Sequence, residues 1–198
     1  MRDKYGIGQD SYCYPGTDIL INVLNIQDIE LLEEAEIAFT TARYLSYQSE
    51  LSLLSQFDFS HLKFLHFYLF QDLYAWAGKV RDIDISKGNT RFCTFSRIEP
   101  EAIKLFNTIP NLEYYSNLTD LIKDLAHLFC ELNLLHPFRE GNGRTLRFFF
   151  EEMLFVLGYE IQWPVISQQH WIDANVAGVY LDLNPLIAIF ASAVNPRP

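Results

Sequence analysis

Basic residues, cysteines and long apolar runs are scarce in this chain of 198 residues, and each scarcity excludes a class of protein. Lysine and arginine number 15 against 25 aspartates and glutamates, which gives a net charge of −10. An acidic surface repels phosphates, so nucleic acid is not expected as a direct partner. No apolar stretch reaches the roughly 18 residues that a membrane-spanning helix needs. We therefore expect a protein that binds neither nucleic acid nor a membrane.

The three cysteines lie far apart in sequence and match no metal-binding spacing: Cys13, Cys93 and Cys130. Widely spaced cysteines of this kind are typical of reduced thiols in the cell interior. The first residues, Met1–Gly6, are polar and do not resemble a secretory signal. These features predict a cytoplasmic location.

Hydrophobic residues, in contrast, make up 49% of the chain and aromatic residues 15%, which is enough for a large core. The length favours one domain over residues 1–198. Apolar residues recur at helical spacing along most of the chain, and the segments add up to about seven helices and one hairpin. The sequence predicts a mainly α helical bundle, with an N-terminal arm over residues 1–24 and a frayed tail over residues 195–198.

The first predicted helix can be capped by Asn25 or Asp28. Its apolar residues predict a stripe that faces the core, formed by Ile29, Leu32, Ala35, Phe39 and Ala42. Four glutamates fall in its first half, where the helix dipole favours anions: Glu30, Glu33, Glu34 and Glu36.

The helical pattern breaks over residues 79–98. Two short alternating runs, Val80–Ile85 and Arg91–Phe95, flank a turn at Gly88 and Asn89 and predict a β-hairpin. An exposed hairpin has edge groups that can pair with an extended segment of a partner. The alternative is a plain connecting hairpin. The docking edge would consist of Ser86, Lys87, Gly88, Asn89, Thr90, Arg91 and Phe92.

The most informative stretch, residues 136–147, lies between two regular apolar patterns. Pro137 disfavours helical geometry at His136, so the preceding helix is expected to end there and a short loop to lead into the next helix. The loop residues Gly141, Asn142 and Gly143 have flexible backbone whose N–H groups can form an anion nest, reinforced by the positive end of that helix.

Four further side chains could contribute to the binding and transfer of a phosphate group. A carboxylate at Glu140 can hold a phosphate-bound Mg²⁺, and His136 titrates near neutrality and can take a proton from a hydroxyl. Two arginines three residues apart can clamp phosphates from one helical face: Arg144 and Arg147. Each feature alone is more often structural, as a loop histidine, a turn or a solvated helix face. Their occurrence together within twelve residues predicts transfer of a phosphorus-containing group.

The same stretch resembles the Fic motif, HPFx(D/E)GNGRxxR, and every specified position is present. The resemblance extends to four segments outside the motif: Lys4–Gly6, Tyr14–Asp18, Trp76–Gly78 and Asp84–Gly88. It implies the Fic fold, in which the hairpin over residues 79–98 is a flap that aligns a target segment beside the nucleotide. The implied activity is transfer of AMP from ATP, with Mg²⁺, to a protein hydroxyl.

The resemblance also implies a role for each motif residue. His136 is the general base, Phe138 anchors the motif in the core, and Glu140 is the Mg²⁺ ligand. The phosphate cradle and clamps are Gly141, Asn142, Gly143, Arg144 and Arg147.

Inhibition is expected to come from a separate protein. Many Fic proteins carry an inhibitory (S/T)xxxE(G/N) helix in the same chain, whose glutamate pairs with the second motif arginine. Here the one glutamate followed by Gly or Asn is Glu140, and His136 stands four residues before it. The segment Ser46–Glu50 has the spacing, but Leu51 follows it. The resemblance therefore implies a small antitoxin whose glutamate reaches Arg147.

The resemblance is strongest to bacterial Fic toxins, which modify a tyrosine on the ATPase subunits of type II topoisomerases. DNA gyrase B and topoisomerase IV are therefore the expected targets. Two alternatives differ in chemistry. A Doc-like protein kinase is disfavoured because Doc-like loops lack the complete Gly-Asn-Gly-Arg nest. A catalytically silent module would keep the fold and bind without turnover.

Overall fold

The computed structural model describes residues 11–197, and within this range the chain forms seven α-helices and two small antiparallel sheets. The helices are α1 Ile29–Ser46, α2 Phe59–Phe70, α3 Ile98–Phe106, α4 Leu118–Leu135, α5 Asn142–Val156, α6 Gln168–Val179 and α7 Asn184–Ala193. One sheet pairs β1 Ser86–Lys87 with β2 Thr90–Arg91, and the other pairs β3 Tyr159–Ile161 with β4 Val194–Pro196. The predicted mainly α fold with about seven helices and a hairpin is confirmed.

Helices α4 and α5 form the centre of the molecule. Helix α4 is capped by Asn117, whose side chain accepts a hydrogen bond from the Asp120 amide at 2.9 Å. Helix α5 is buried along most of its length, and its Phe150 ring packs against Phe129 of α4 and Phe190 of α7, with centroids 5.2 and 5.7 Å apart. Dense aromatic packing on several sides fixes α5 against its neighbouring helices.

The predicted core face of α1 is confirmed for Leu32 and in part for Ala35, whereas Ile29, Phe39 and Ala42 are exposed. The buried residues are Leu32, Glu36 and Thr40, whereas Ile29 and Phe39 are 39% and 37% exposed. The inward row is polar because Glu36 meets partners on other elements, as described below, and a buried carboxylate is tolerated when it is paired. Apolar periodicity alone could not reveal this. The cap is Asp28, which accepts from the Leu31 amide at 2.9 Å.

The hairpin is confirmed, but its strands are shorter than predicted. Only two residues on each side pair, Ser86 with Arg91 and Lys87 with Thr90. Nearer the base of the hairpin, the carbonyl oxygens of Ile83 and Cys93 accept hydrogen bonds from the Arg81 side chain. A side chain thus takes the place of the ladder that the alternating pattern predicted.

The predicted frayed tail is wrong for residues 195–197. Strand β4 pairs with β3, the Arg197 amide donates to the Gly158 carbonyl at 2.9 Å, and the Arg197 guanidinium lies 3.6 Å from the Phe155 ring centroid. Backbone pairing and a cation–π contact therefore fix the end of the described chain. Position 198 lies outside the described residues.

The N-terminal arm is described from residue 11 onward, so its first ten residues, including the segment Lys4–Gly6, lie outside the described residues. The described part contributes Cys13 and Leu20 to the core, where they form an isolated antiparallel bridge. The three cysteines are thiols in the described part of the chain. None of the described helices is long and apolar enough to cross a membrane.

Candidate active site

The loop between α4 and α5 has the local geometry that the sequence predicts. Helix α4 ends at Leu135, and His136 adopts a left-handed conformation with φ 44° and ψ 61°. Helix α5 starts after Gly141, whose φ of 79° suits glycine. Phe138 is fully buried and its ring stacks on His66 with centroids 3.8 Å apart, which confirms its predicted place in the core.

The imidazole of His136 is held on two sides. Its Nδ1 lies 2.9 Å from the Asn133 carbonyl oxygen, and a carbonyl oxygen only accepts. Nδ1 therefore carries a hydrogen in this contact, and in the neutral ring the lone pair is on Nε2. The ring stacks on Phe92 of the hairpin with centroids 3.7 Å apart and planes at 15°. The structure thus brings the predicted base and a predicted flap residue together.

The side chain of Asn142 braces the loop itself. Its Oδ1 accepts from the Phe138 amide at 2.9 Å, and its Nδ2 donates to the Phe138 carbonyl at 2.7 Å. Both ends of the amide are used inside the loop, and the residue is buried. The backbone N–H group of Asn142 is therefore the group that we expect to take the predicted cradle role.

The start of α5 provides the other groups of the predicted cradle. The first amides of a helix have no intrahelical acceptor and lie at the positive end of its dipole. The Gly141 amide donates to Oε1 of Glu140 at 3.1 Å, which places this carboxylate at the helix start. A Cβ on Gly143 would lie 3.6 Å from Nη1 of Arg147, so that guanidinium lies beside the same turn.

The two motif arginines are held by different helices. Arg144 donates to Oε2 of Glu36 on α1 at 2.6 Å and lies over the Phe70 ring of α2, 4.8 Å from its centroid. Tyr74 donates to the other oxygen of Glu36. Arg147 instead lies over Trp171 of α6, 5.7 Å from the ring centroid.

Burial lowers the pKa of the Arg147 guanidinium from its ordinary value. A charge withdrawn from water in this way interacts strongly with an anion that enters the site. Arg144 already has an anionic partner in Glu36. The prediction that both arginines clamp one polyphosphate therefore stays a prediction, and within residues 11–197 no hydrogen-bond partner common to both is seen.

His66 supports the loop from α2. Its Nδ1 accepts from the Gly78 amide at 2.8 Å, and its Nε2 donates to the Glu140 carbonyl at 3.0 Å. The two backbone partners require the neutral ring, and burial lowers the pKa of His66 to about 3. The sequence favours only a structural histidine at this position and does not connect it with the motif.

A Mg²⁺ ion would fit this site if substrate phosphates supplied part of its coordination. Among residues 11–197, no three His, Cys, Asp or Glu side chains are grouped so that they could hold a metal ion. Mg²⁺ is commonly held by one or two carboxylates together with substrate phosphates. The single carboxylate of Glu140 at the helix start matches that arrangement.

Comparison with known proteins decides the family. The model of the Fic/DOC family matches residues 56–154, which is half of the chain and includes the loop. The chain belongs to the Fic/DOC family. Along almost the whole chain, this Fic protein is 40% identical to the "Probable protein adenylyltransferase Fic" of Escherichia coli K12, over 98% of this chain and 97% of the relative.

Two Bartonella proteins are also similar to this chain, one in sequence and one in structure. "Protein adenylyltransferase VbhT" of Bartonella schoenbuchensis is 36% identical, over 89% of this chain and 37% of VbhT. The crystal structure of BepC from Bartonella tribocorum, with bound AMPPNP, superposes with a TM-score of 0.84, covering 94% of this chain and 97% of BepC at 23% identity. The predicted Fic fold is confirmed.

Gly141 is expected to tolerate no side chain. A Cβ there would overlap the Phe70 ring, and its φ of +79° strains any other residue. Gly141→Ala should lower the free energy of unfolding by about 1–3 kcal/mol more than Gly16→Ala, measured by urea denaturation. Gly16 is the matched control because its φ is +74° with nothing within 4 Å of an added Cβ. Equal losses in the two variants would contradict the clash.

His66 is expected to make stability depend on pH. Its pKa is about 3 in the folded chain and about 6.5 when unfolded, so between these values only the unfolded chain binds the proton. Stability is therefore lost as the pH falls below about 6, by about 1.4 kcal/mol per pH unit. Urea denaturation from pH 7 to pH 4.5 should show this slope in the wild type and a smaller one in His66→Gln. The exposed His170→Gln should keep the wild-type slope.

Proposed function

We propose that this Fic protein is a protein adenylyltransferase, which moves AMP from ATP to a hydroxyl side chain of a target protein. The observation that carries the proposal is the loop of residues 136–147, where an imidazole of fixed tautomer and the N-terminus of a buried helix stand in one motif. The names of the E. coli relative and of VbhT support the same activity. Solved structures of this fold hold AMPPNP or ADP.

The proposed step is an in-line displacement at the α-phosphorus. The target oxygen forms a bond to the α-phosphorus, and the bond from that phosphorus to the bridging oxygen of the β-phosphate breaks. Nε2 of His136 accepts the hydroxyl proton, and pyrophosphate leaves with the bonding electrons. The catalytic contribution of the chain lies in positioning these groups and in stabilising the phosphate charge.

The phosphates are assigned to the start of α5. The backbone amides of Asn142 and Gly143 and the guanidinium of Arg147 face the negative charge, and Gly141 allows the close approach of the chain. Arg144, in the first turn of α5, would contribute a second guanidinium to the cradle. Glu140 would hold Mg²⁺, which would neutralise charge on the phosphates.

We assign to the flap the binding of the target protein. The edge of β1 and β2, over residues 86–92, has backbone groups that can pair with an extended segment of the target. Phe92 at the end of this edge stacks on His136, so a segment paired there passes close to the base. The resemblance to bacterial Fic toxins supports the ATPase subunits of DNA gyrase and topoisomerase IV as targets, in the bacterial cytoplasm.

Label transfer tests the activity and the target together. Purified protein with Mg²⁺ and ATP labelled at the α-phosphate should label DNA gyrase B, whereas ATP labelled at the γ-phosphate should not. His136→Ala should reduce the rate at least a hundredfold, because the base is lost. The matched control is His127→Ala, an exposed histidine of α4 that should keep the wild-type rate.

The other outcomes separate the alternatives. A band labelled from the γ-phosphate would identify a Doc-like protein kinase. Labelling of other lysate proteins, but not of gyrase B, would leave the activity standing and refute the target. Absence of label from both nucleotides in a lysate that contains gyrase B would support a silent binding module.

Inhibition is assigned to a separate antitoxin whose glutamate pairs with Arg147. The guanidinium is half-buried and lies over the Trp171 ring beside the first turn of α5. A carboxylate placed there would displace the γ-phosphate and misalign the α-phosphorus. Within residues 11–197, Glu151 interacts electrostatically with Arg147, but its two oxygens accept hydrogen bonds from Tyr44 and Trp163. Glu36 pairs with Arg144.

A helical peptide with the pattern Ser-x-x-x-Glu-Gly tests this assignment. It should lower the rate of AMP transfer about tenfold more than the same peptide with Gln in place of Glu, since a charge-assisted pair contributes about 1.5–3 kcal/mol. The difference should shrink as the ATP concentration rises, because peptide and γ-phosphate compete. Equal inhibition by both peptides would show that the carboxylate does not act on Arg147.

A further inference from the structure

Arg81 joins the motif loop to both sides of the hairpin. Its backbone amide donates to the Pro137 carbonyl at 2.9 Å, and its Nε donates to the His136 carbonyl at 2.9 Å. The two terminal nitrogens donate to the carbonyl oxygens of Ile83 and Cys93, which lie on opposite sides of the hairpin base. One residue therefore connects the segment that carries the base with the segment that is assigned to the target.

The contact is built mainly from carbonyl groups, with a longer ion pair to Asp84. The Arg81 side chain is 0% exposed, and Asp84 lies 4.0 Å away, beyond hydrogen-bond distance. Burial of a guanidinium is unfavourable unless its N–H groups are satisfied, and here three carbonyl oxygens in different directions accept them. The planar fork of arginine reaches all three at once, which a lysine ammonium cannot do.

The bonds of Arg81 act on a strained part of the site. His136 has a positive φ, which a residue with a side chain keeps only when its surroundings fix it. Arg81 holds the His136 carbonyl, and the Cys93 amide donates to the Leu134 carbonyl at 3.0 Å. Together with the stacking of Phe92 on His136, these contacts tie the second side of the hairpin to the end of α4.

We propose that Arg81 is a positioning residue for AMP transfer: its guanidinium fixes the hairpin and the His136 loop as one unit, so that a hydroxyl docked on the hairpin edge meets Nε2 of His136. This inference rests on the proposed function for its catalytic consequence. A displacement of about 1 Å between reacting groups can cost a hundredfold in rate, which sets the scale of the expected effect.

The first test is kinetic and compares Arg81→Lys with Arg43→Lys. Arg43 is the matched control, because it makes two bonds of 2.6 and 2.7 Å to Asp72 between α1 and the segment after α2, away from the loop. In Arg81→Lys, kcat for AMP transfer should fall about tenfold to a hundredfold, while KM for ATP changes less than twofold. In Arg43→Lys both constants should stay close to wild type. An unchanged kcat in Arg81→Lys would overturn the proposal.

A spectroscopic measurement shows whether the base has moved. The stacked Phe92 ring should shift the ring-proton resonances of His136 upfield, and the His136→Ala variant assigns them by their absence. In Arg81→Lys the resonances should move toward the values of the exposed histidines. Wild-type resonances in that variant would contradict the positioning role. This measurement needs no activity. If the wild-type protein transfers no AMP, the proposed function is refuted, but the resonances still test whether Arg81 positions His136.

A measurement on the wild-type protein covers the case in which Arg81→Lys does not fold. The amides of Arg81 and Cys93 donate to Pro137 and Leu134 on the two sides of His136. If hairpin and loop open as one unit, native-state hydrogen exchange should give the two amides the same opening free energy. Much faster exchange at Cys93 than at Arg81 would show that the hairpin moves independently, and would overturn the proposal.

Discussion

The buried loop between α4 and α5 must satisfy its backbone polar groups without the partners that a helix or a sheet would provide. The Gly141 carbonyl accepts from Thr145 in the first turn of α5, and four other carbonyls of the loop are bonded by groups outside any helix or sheet ladder. Arg81 takes those of His136 and Pro137, the Asn142 side chain takes that of Phe138, and His66 takes that of Glu140. The chemistry of the motif depends on these bonds, because they hold a left-handed His136 and a left-handed Gly141 in place.

This constraint explains why part of the site could be predicted from sequence and part could not. The end of α4 before Pro137, the glycine at the start of α5 and the core position of Phe138 follow from residues adjacent in sequence, and the structure agrees with all three. Local conformational preference is a property of a few neighbours, so it can be inferred from their identities.

The predictions from sequence that were wrong all involve residues whose partners are distant in sequence. Glu36 belongs to the buried row of α1 because Arg144 and Tyr74 meet it there, 108 and 38 residues away. Arg81 replaces the predicted strand ladder because the motif loop lies against the hairpin base. Apolar spacing does not identify either residue, because it treats every charged residue as solvent-facing. It therefore misses a buried ion pair and a guanidinium bonded to carbonyl groups. Of the fold, the helices could be predicted, whereas their polar contacts could not.

The supports of the two motif arginines come from opposite ends of the chain, Glu36 from α1 and Trp171 from α6. A ribosome releases these segments at different times. When residue 147 has just left the ribosomal exit tunnel, α1 is available to Arg144, but the ring that packs on Arg147 is still inside the tunnel. The complete motif therefore exists for some time as a sequence without the structure that orders its second arginine. The order of synthesis places maturation of the site after translation of α6.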